Sequence, residues 1–218
     1  LLLLVDQGPS MRFGTRVAFK SVVAAQAAAL LAWAAADRGD RVGGLVFDER
    51  SHFEHRPAAR TQGLLPLLQA LAVGGRVGGA AGLGDVLTAA DQLVHLARPG
   101  SLIFILSDFH HLTRERSLWL ARLGRASEVV LVHIRDPLEE LAPPPGLYPV
   151  TDGLRRGLLD TGVEARRSAW QQRFRDHLEI LEGMARRHRA HLLWLNTAEP
   201  VGPALARGLN PRRAGGGR

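Results

Sequence analysis

The sequence predicts an α/β domain: a doubly wound, mostly parallel sheet of Rossmann type, with one antiparallel edge strand and helices on both faces. Three observations carry that prediction. Apolar runs of strand length alternate with longer helical patterns, the arrangement that parallel βαβ units require. Some of those runs, above all the stretch from Leu102 to Leu106, are apolar at every position, as a strand covered on both faces must be. An aspartate follows the last apolar residues of four runs, Asp6, Asp48, Asp108 and Asp136, which places four carboxylates along one edge of a parallel sheet.

Leu1 to Val5 reads as the first strand and Val17 to Ala36 as a long alanine-rich buried helix, stopped at Gly39. Val42 to Phe47 is the second strand. SHFEHRPA alternates polar and apolar residues and ends at Pro57, so it reads as an edge strand returning antiparallel. Helical patterns follow at Thr61 to Ala72 and Asp85 to Ala97, separated by a loop with six glycines between Gly74 and Gly84. Arg114 to Leu123 is a helix, and EVVLVHI is a further parallel strand ending at Asp136 and Pro137. Around residues 143–162 a proline-started insertion carries a small hairpin, Leu147 to Val150 against Leu154 to Asp160. Glu164 to His188 is a long amphipathic helix, HLLWLNT a last strand, and PVGPALARGL a short terminal helix. One domain over residues 1–209 and a flexible basic tail over 210–218 account for the chain.

Composition narrows the chemistry. The 218 residues include no cysteine, which removes disulfides, thiolate metal sites and cysteine nucleophiles together. The net charge of +7 comes almost wholly from arginine, since Lys20 is the only lysine. The arginines are scattered and lack interleaved aromatic residues, so nucleic acid is not the expected partner. Lys20 and Gln26 interrupt the one long apolar stretch, which argues for a soluble helix over a membrane span. The chain opens on leucine inside an apparent strand, so an N-terminal portion is expected to be missing, and any membrane contact is expected to come through it. The expected location is cytoplasmic, with membrane association in the full-length protein.

The carboxyl edge of an open α/β sheet, at the point where successive connections diverge, is where ligands bind. Asp6 and Asp108 lie at strand ends with the hydroxyls of Ser10 and Ser107 close in sequence, and two carboxylates plus hydroxyls can hold magnesium. Asp48 and Asp136 read as turn formers or helix N-caps. His110 and His111 follow Asp108 and read as exposed loop residues capping the next helix; His133, inside VVLVHI, reads as a satisfied core histidine. The glycine loop lacks the Lys-Ser/Thr pair and the preceding strand of a nucleotide site. Ser10 and Ser107 lack the flanking glycines of a nucleophile elbow.

LLLLVDQGPSM resembles the first motif of a von Willebrand factor A domain, Asp-x-Ser-x-Ser at the end of the first strand, and LIFILSDF is similar to that domain's later strand and metal-coordinating aspartate. In order and spacing, VDQGPSMRFGTRVAFKSVVAAQAAALLAWAAADRGDRVGGLVF, SDFHHL, VVLVHIRDPLEELAPPPG and LLDTG resemble the bacterial family called domain of unknown function 58, from Leu1 to about Leu209. The resemblance implies a non-enzymatic protein-interaction domain, partner of a MoxR-type AAA+ ATPase in assembling or remodelling protein complexes. Position by position it implies a degenerate metal-ion-dependent adhesion site. Asp6 matches the leading aspartate, Ser10 the second serine and Asp108 the later aspartate. Gly8 stands where the first serine should be, and Gly84, before Asp85, stands where a threonine should be. A magnesium ion held by Asp6, Ser10 and Asp108 alone is expected to bind weakly and exchange readily.

The interaction surface predicted on these grounds comprises Asp6, Gly8, Ser10, Gly84, Asp85, Asp108 and His110. A different class of function, a metal-dependent phosphoester hydrolase, would use Asp6, Asp108 and His110, with the histidine as base or ligand.

Overall fold

The computed structural model describes residues 1–74, 80–81, 83–113, 117–151 and 156–210, with only the backbone of 80–81. In chain order the elements are β1 (Leu2–Asp6), a 3-10 turn (Pro9–Met11), α1 (Lys20–Asp37), β2 (Arg41–Phe47), β3 (Ser51–Ala59), α2 (Arg60–Val73), β4 (Ala80–Ala81), α3 (Val86–Leu93) and β5 (Ser101–Ser107). There follow α4 (Leu118–Leu123), β6 (Ser127–Arg135), α5 (Pro137–Glu140), β7 (Leu147–Thr151), β8 (Arg156–Asp160), α6 (Glu164–His188), β9 (His191–Asn196) and α7 (Val201–Leu209).

Seven strands form the main sheet in the order β4-β3-β2-β1-β5-β6-β9, while β7 and β8 pair as a separate hairpin. β1 lies between β2 and β5 and is parallel to both; β6 and β9 extend the parallel ladder. β3 runs against the rest, as its alternating pattern predicts. It is not wholly an edge strand, because β4, inside the glycine loop, pairs with Ser51 and His52. Connections from β1 lead toward β2, those from β5 toward β6 and β9, so the strand order diverges between β1 and β5, the place beyond whose carboxyl ends ligands bind in open α/β sheets.

The period-2 geometry of β1 explains its unbroken apolar run. Leu3 and Val5 face a core closed by α1, α2 and α7, while Leu2 and Leu4 face a second core closed by α3, α4 and α6. Both layers are filled mainly by aliphatic side chains, with Phe104 in the first and Phe47, Phe109 and Trp119 in the second, and the doubly wound class is thereby realised.

Several predicted bounds shift for identifiable reasons. α1 begins at Lys20, not Val17, because residues 12–19 fold back as a loop; Lys20 N donates to Phe13 O at 2.8 Å, and Phe19 occupies the cap with extended backbone. Nor is α1 buried all round: it buries Val23, Ala27, Ala28 and Leu31 and exposes Val22, Leu30 and Trp33. α3 ends at Leu93, after which the chain continues in turns instead of reaching Ala97 as helix. The helix expected from Arg114 is α4 from Leu118, and residues 114–116 lie outside the described residues, as do Leu154, at the start of the predicted second hairpin strand, and tail residues 211–218. Glu164–His188 matches α6 as read from its amphipathic pattern.

Candidate functional site

β1, β5 and β6 deliver Asp6, Asp108 and Asp136 to one edge, the first two across the divergence point. Asp6 is almost fully buried; its Oδ1 accepts Gly8 N at 2.8 Å and its Oδ2 accepts Ser107 Oγ at 2.7 Å. Asp108, 5% exposed, accepts Ser10 Oγ at 3.2 Å and His110 N at 3.0 Å on Oδ1. The loop after β1 and the end of β5 are thus tied together through Asp6, Ser10, Ser107 and Asp108, with the two hydroxyls spent on the carboxylates.

The residue that organises this edge is one that pattern reading passes over. Lys20, at the first turn of α1, is 1% exposed, and its Nζ donates to Asp108 Oδ2 at 2.6 Å and to Glu139 Oε1 at 2.5 Å. The Phe13 ring centroid lies 5.8 Å from the same ammonium. Glu139 links this ion pair to the end of β6, because its Oε2 accepts Asp136 N at 2.9 Å while Asp136 Oδ1 accepts Leu138 N, a capping box that starts α5. Asp136 also accepts Thr15 N and Oγ1 and Thr197 Oγ1, so the loop before α1 and the end of β9 are fastened to the same point.

The electrostatics follow from burial and these partners. Burial, reinforced by the neighbouring Asp108 charge, pushes the Asp6 carboxyl up to about 6, against the opposing bonds from Ser107 and Gly8. For Asp108 burial also works to raise the pKa, but the Lys20 ammonium together with the hydrogen bonds from His110 N and Ser10 outweighs it and holds the carboxyl below its usual range. Lys20 is the mirror case: burial alone would lower its pKa, and Asp108 and Glu139 raise it.

A divalent ion does not fit this donor set. Both Asp6 oxygens already accept protein donors, and Asp108 accepts an ammonium, a hydroxyl and an amide, whereas magnesium needs near-octahedral oxygen ligands. At Gly8 an added Cβ would stand 3.0 Å from Asp6 Oδ1, so a side chain there presses on the carboxylate. Gly84 has φ +73°, the left-handed region that disfavours a β-branched residue. Replacing Gly84 by threonine is expected to lower stability by about 1–2 kcal/mol through that backbone strain alone. Urea midpoints of the variant with and without millimolar magnesium check this; the expected loss is the same in both. Among the described residues no group of three or more histidine, aspartate or glutamate side chains is placed to hold a metal ion.

The remaining predicted residues divide. Gly84 and Asp85 line a hollow with Leu83, Thr88 and His111, and Asp85 caps α3 by accepting Thr88 N at 2.9 Å. His110 is exposed and meets His111 edge to face at 5.1 Å, so the two rings do not point in opposite directions as an extended segment would have it. The backbone turns here, with Phe109 at φ +53°, and the cap of α4 is Ser117, not either histidine. Asp48 forms the β2–β3 turn, its Oδ1 accepting Arg50 N and Ser51 N, in keeping with its sequence reading.

His133 is a core residue, packed against Phe109, His177 and Trp194, but it is not fully satisfied: its Nδ1 has no hydrogen-bond partner among the described residues. Burial, helped by His177, pulls its pKa down to about 3, so it is neutral. His177 of α6, unmarked by any motif, has its Nε2 3.0 Å from the carbonyl oxygen of Asp108 and so braces the end of β5 from the other layer.

Two solved structures share the fold at low sequence identity. The conserved hypothetical protein BatB from Bacteroides thetaiotaomicron superimposes with a TM-score of 0.57 at 14% identity, covering 98% of each chain. An aerotolerance-related membrane protein from Bacteroides fragilis NCTC 9343, with multiple mutations to serines, gives 0.54 at 12% identity over 96% of this chain and 98% of that one. At such identities these likenesses speak for the fold alone. No curated relative matches the chain. The family model described as protein of unknown function DUF58 matches residues 1–180, from β1 through most of α6, and the chain belongs to that family.

Proposed function

We propose that this chain is a von Willebrand A-like protein-interaction domain without enzymatic activity, which docks a partner at the carboxyl edge around Ser10, Asp108 and His110. The single observation that carries the reading is the ion pair of Asp108 with Lys20, 2.6 Å apart and buried on both sides. A carboxylate so neutralised is poorly placed to serve a hydrolytic metal or to act as a base, and His110 contributes its backbone N–H to Asp108. What the edge offers to a partner is a shaped set of loops held rigidly by buried bonds, with His110 and His111 exposed at the rim.

The strand order, with one reversed strand beside β2, and the Asp6 loop support the von Willebrand A-like reading. The partner is a MoxR-type AAA+ ATPase, as the sequence resemblance implies, and the role is assembly or remodelling of protein complexes. The proposed place is the cytoplasmic side of a membrane, as the sequence reading expects. Among the described residues no helix is long and apolar enough to cross one.

The test uses purified MoxR-type ATPase from the same genome and the variant H110E/H111E, which alters the rim and leaves the buried bonds in place. The expected result is a loss of affinity of at least about tenfold with an unchanged thermal midpoint. Unchanged affinity removes this edge from the interaction. Phosphoester turnover that requires magnesium or manganese and stops on chelation would overturn the non-enzymatic reading in favour of the hydrolase.

A further inference from the structure

The position of Lys20 is unusual in this chain on two independent grounds. Every other fixed cation is an arginine, yet the one lysine is, among the described residues, the one buried cation at the divergence point of the sheet. A guanidinium is a planar fork suited to bidentate pairing, whereas an ammonium is a compact point charge with three donors, which among side chains comes closest to a bare cation. Residues 12–19 loop back so that α1 begins at this residue, bringing Nζ within 2.6 Å of Asp108 and 2.5 Å of Glu139.

The second ground is what the surrounding loops lack. Gly8 and Gly84 carry no hydroxyl, and the backbone at Gly84 is of a kind that threonine resists. Oxygen ligands are what a divalent ion needs, near-octahedrally arranged at about 2.0–2.1 Å for magnesium. An ammonium needs only acceptors, and Asp108 and Glu139 provide them. Absence of the ligand hydroxyls and presence of the ammonium therefore point the same way, although they arise at positions far apart in sequence.

We infer that the Lys20 ammonium is a resident, covalently attached cation standing where a divalent metal would otherwise sit, so that this edge is assembled and holds its shape without metal. One consequence concerns recognition. In metal-bridged docking a partner carboxylate completes the coordination shell. Here the cation is 1% exposed and offers nothing to a partner acid, so recognition falls to the exposed loops. Divalent-cation supply then has no control over docking. This inference shares its location with the proposed docking surface, but its test involves no partner, so either can fail alone.

The experiment titrates Mn²⁺ and Mg²⁺ into the full chain and into Lys20→Ser, following binding heat and thermal midpoint. For the wild type the expected result is no saturable heat and no shift in midpoint. Lys20→Ser leaves a small cavity beside Asp108, and the expected result is a lower midpoint that Mn²⁺ raises by several degrees, an effect absent from K20S/D108N. Saturable Mn²⁺ binding by the wild type that Asp108→Asn abolishes would overturn the inference. So would a folded Lys20→Ser that takes up no metal. Should Lys20→Ser not fold, the wild-type arm decides: Mn²⁺ broadening of the His110 and His177 resonances contradicts the inference, and its absence supports it.

Discussion

Lys20→Met is expected to destabilise the domain by about 3–5 kcal/mol, because it removes one partner of a buried ion pair and leaves charged acceptors behind. Asp108 would remain 5% exposed with no counter-ion, and Glu139 would lose the contact that holds it over the α5 cap. For a chain of this size that loss lowers the thermal midpoint on the order of 10 °C. The sign of the pH dependence follows from the directions of both partners. Asp108 is held below its usual range, so its contribution is present above the unfolded value of 3.8 and disappears as pH falls through its folded value. Lys20 is raised, so its contribution is present below its unfolded value of 10.5 and disappears as pH rises through its folded value. In the variant Asp108 keeps the burial that raises its pKa and loses the ammonium that lowers it, so the gap between wild type and variant should be widest near neutral pH and narrow as acid protonates the unpaired carboxyl. The double variant K20M/D108L should recover much of the loss, since a buried pair replaced by apolar side chains is often neutral. Urea unfolding of the wild type, both single variants and the double variant supplies the cycle; equal stability of Lys20→Met and wild type would show the pair to be structurally idle.

Asp6 should act in the opposite sense. Its carboxyl is pushed up to about 6, above the 3.8 of an unperturbed aspartate, so the folded state binds the proton more tightly than the unfolded state. Stability contributed by the neutral form is fully present below pH 3.8 and is lost as pH rises through 6, on the order of 3 kcal/mol over that window. Acidifying the protein from pH 7 to pH 5 should thus stabilise it. Asp6→Asn keeps an oxygen for Gly8 N and cannot ionise, so its stability should vary much less over the same range and match or exceed the wild type at pH 7. A slope for Asp6→Asn equal to that of the wild type would assign the pH response to another group.

The fold was legible because its strongest signals are local. An apolar run such as Leu102 to Leu106 reads as a strand covered on both faces, which Ile103 to Leu106 are while Leu102 at its start stays exposed, and the aspartates near the ends of four runs mark one edge of a parallel sheet. The bounds of α6 followed from periodicity alone. Less legible was what depends on tertiary contact. Lys20 read as a break in an apolar helix because its partners lie 88 and 119 residues away. The available signal was compositional: a single lysine in an arginine-rich chain. The capping box at Asp136 and Glu139 could also have been read from its spacing, which would have brought Glu139 toward the site. The apolar residues Val17 and Phe19 extended the apparent helix because nothing local marks the loop that Thr15 and Asp136 fasten.

The same singularity gives the most direct measurement of the central claim, that a buried ammonium organises this edge without metal. Protein labelled with ¹⁵N-lysine contains one side-chain amine, so its Nζ spectrum needs no assignment. We expect one protonated NH₃⁺ signal, slow to exchange with water because Lys20 is buried and bonded to Asp108 and Glu139, and unchanged in position when millimolar Mg²⁺ is added. A fast-exchanging signal typical of an exposed lysine, or one displaced by Mg²⁺, would contradict the account.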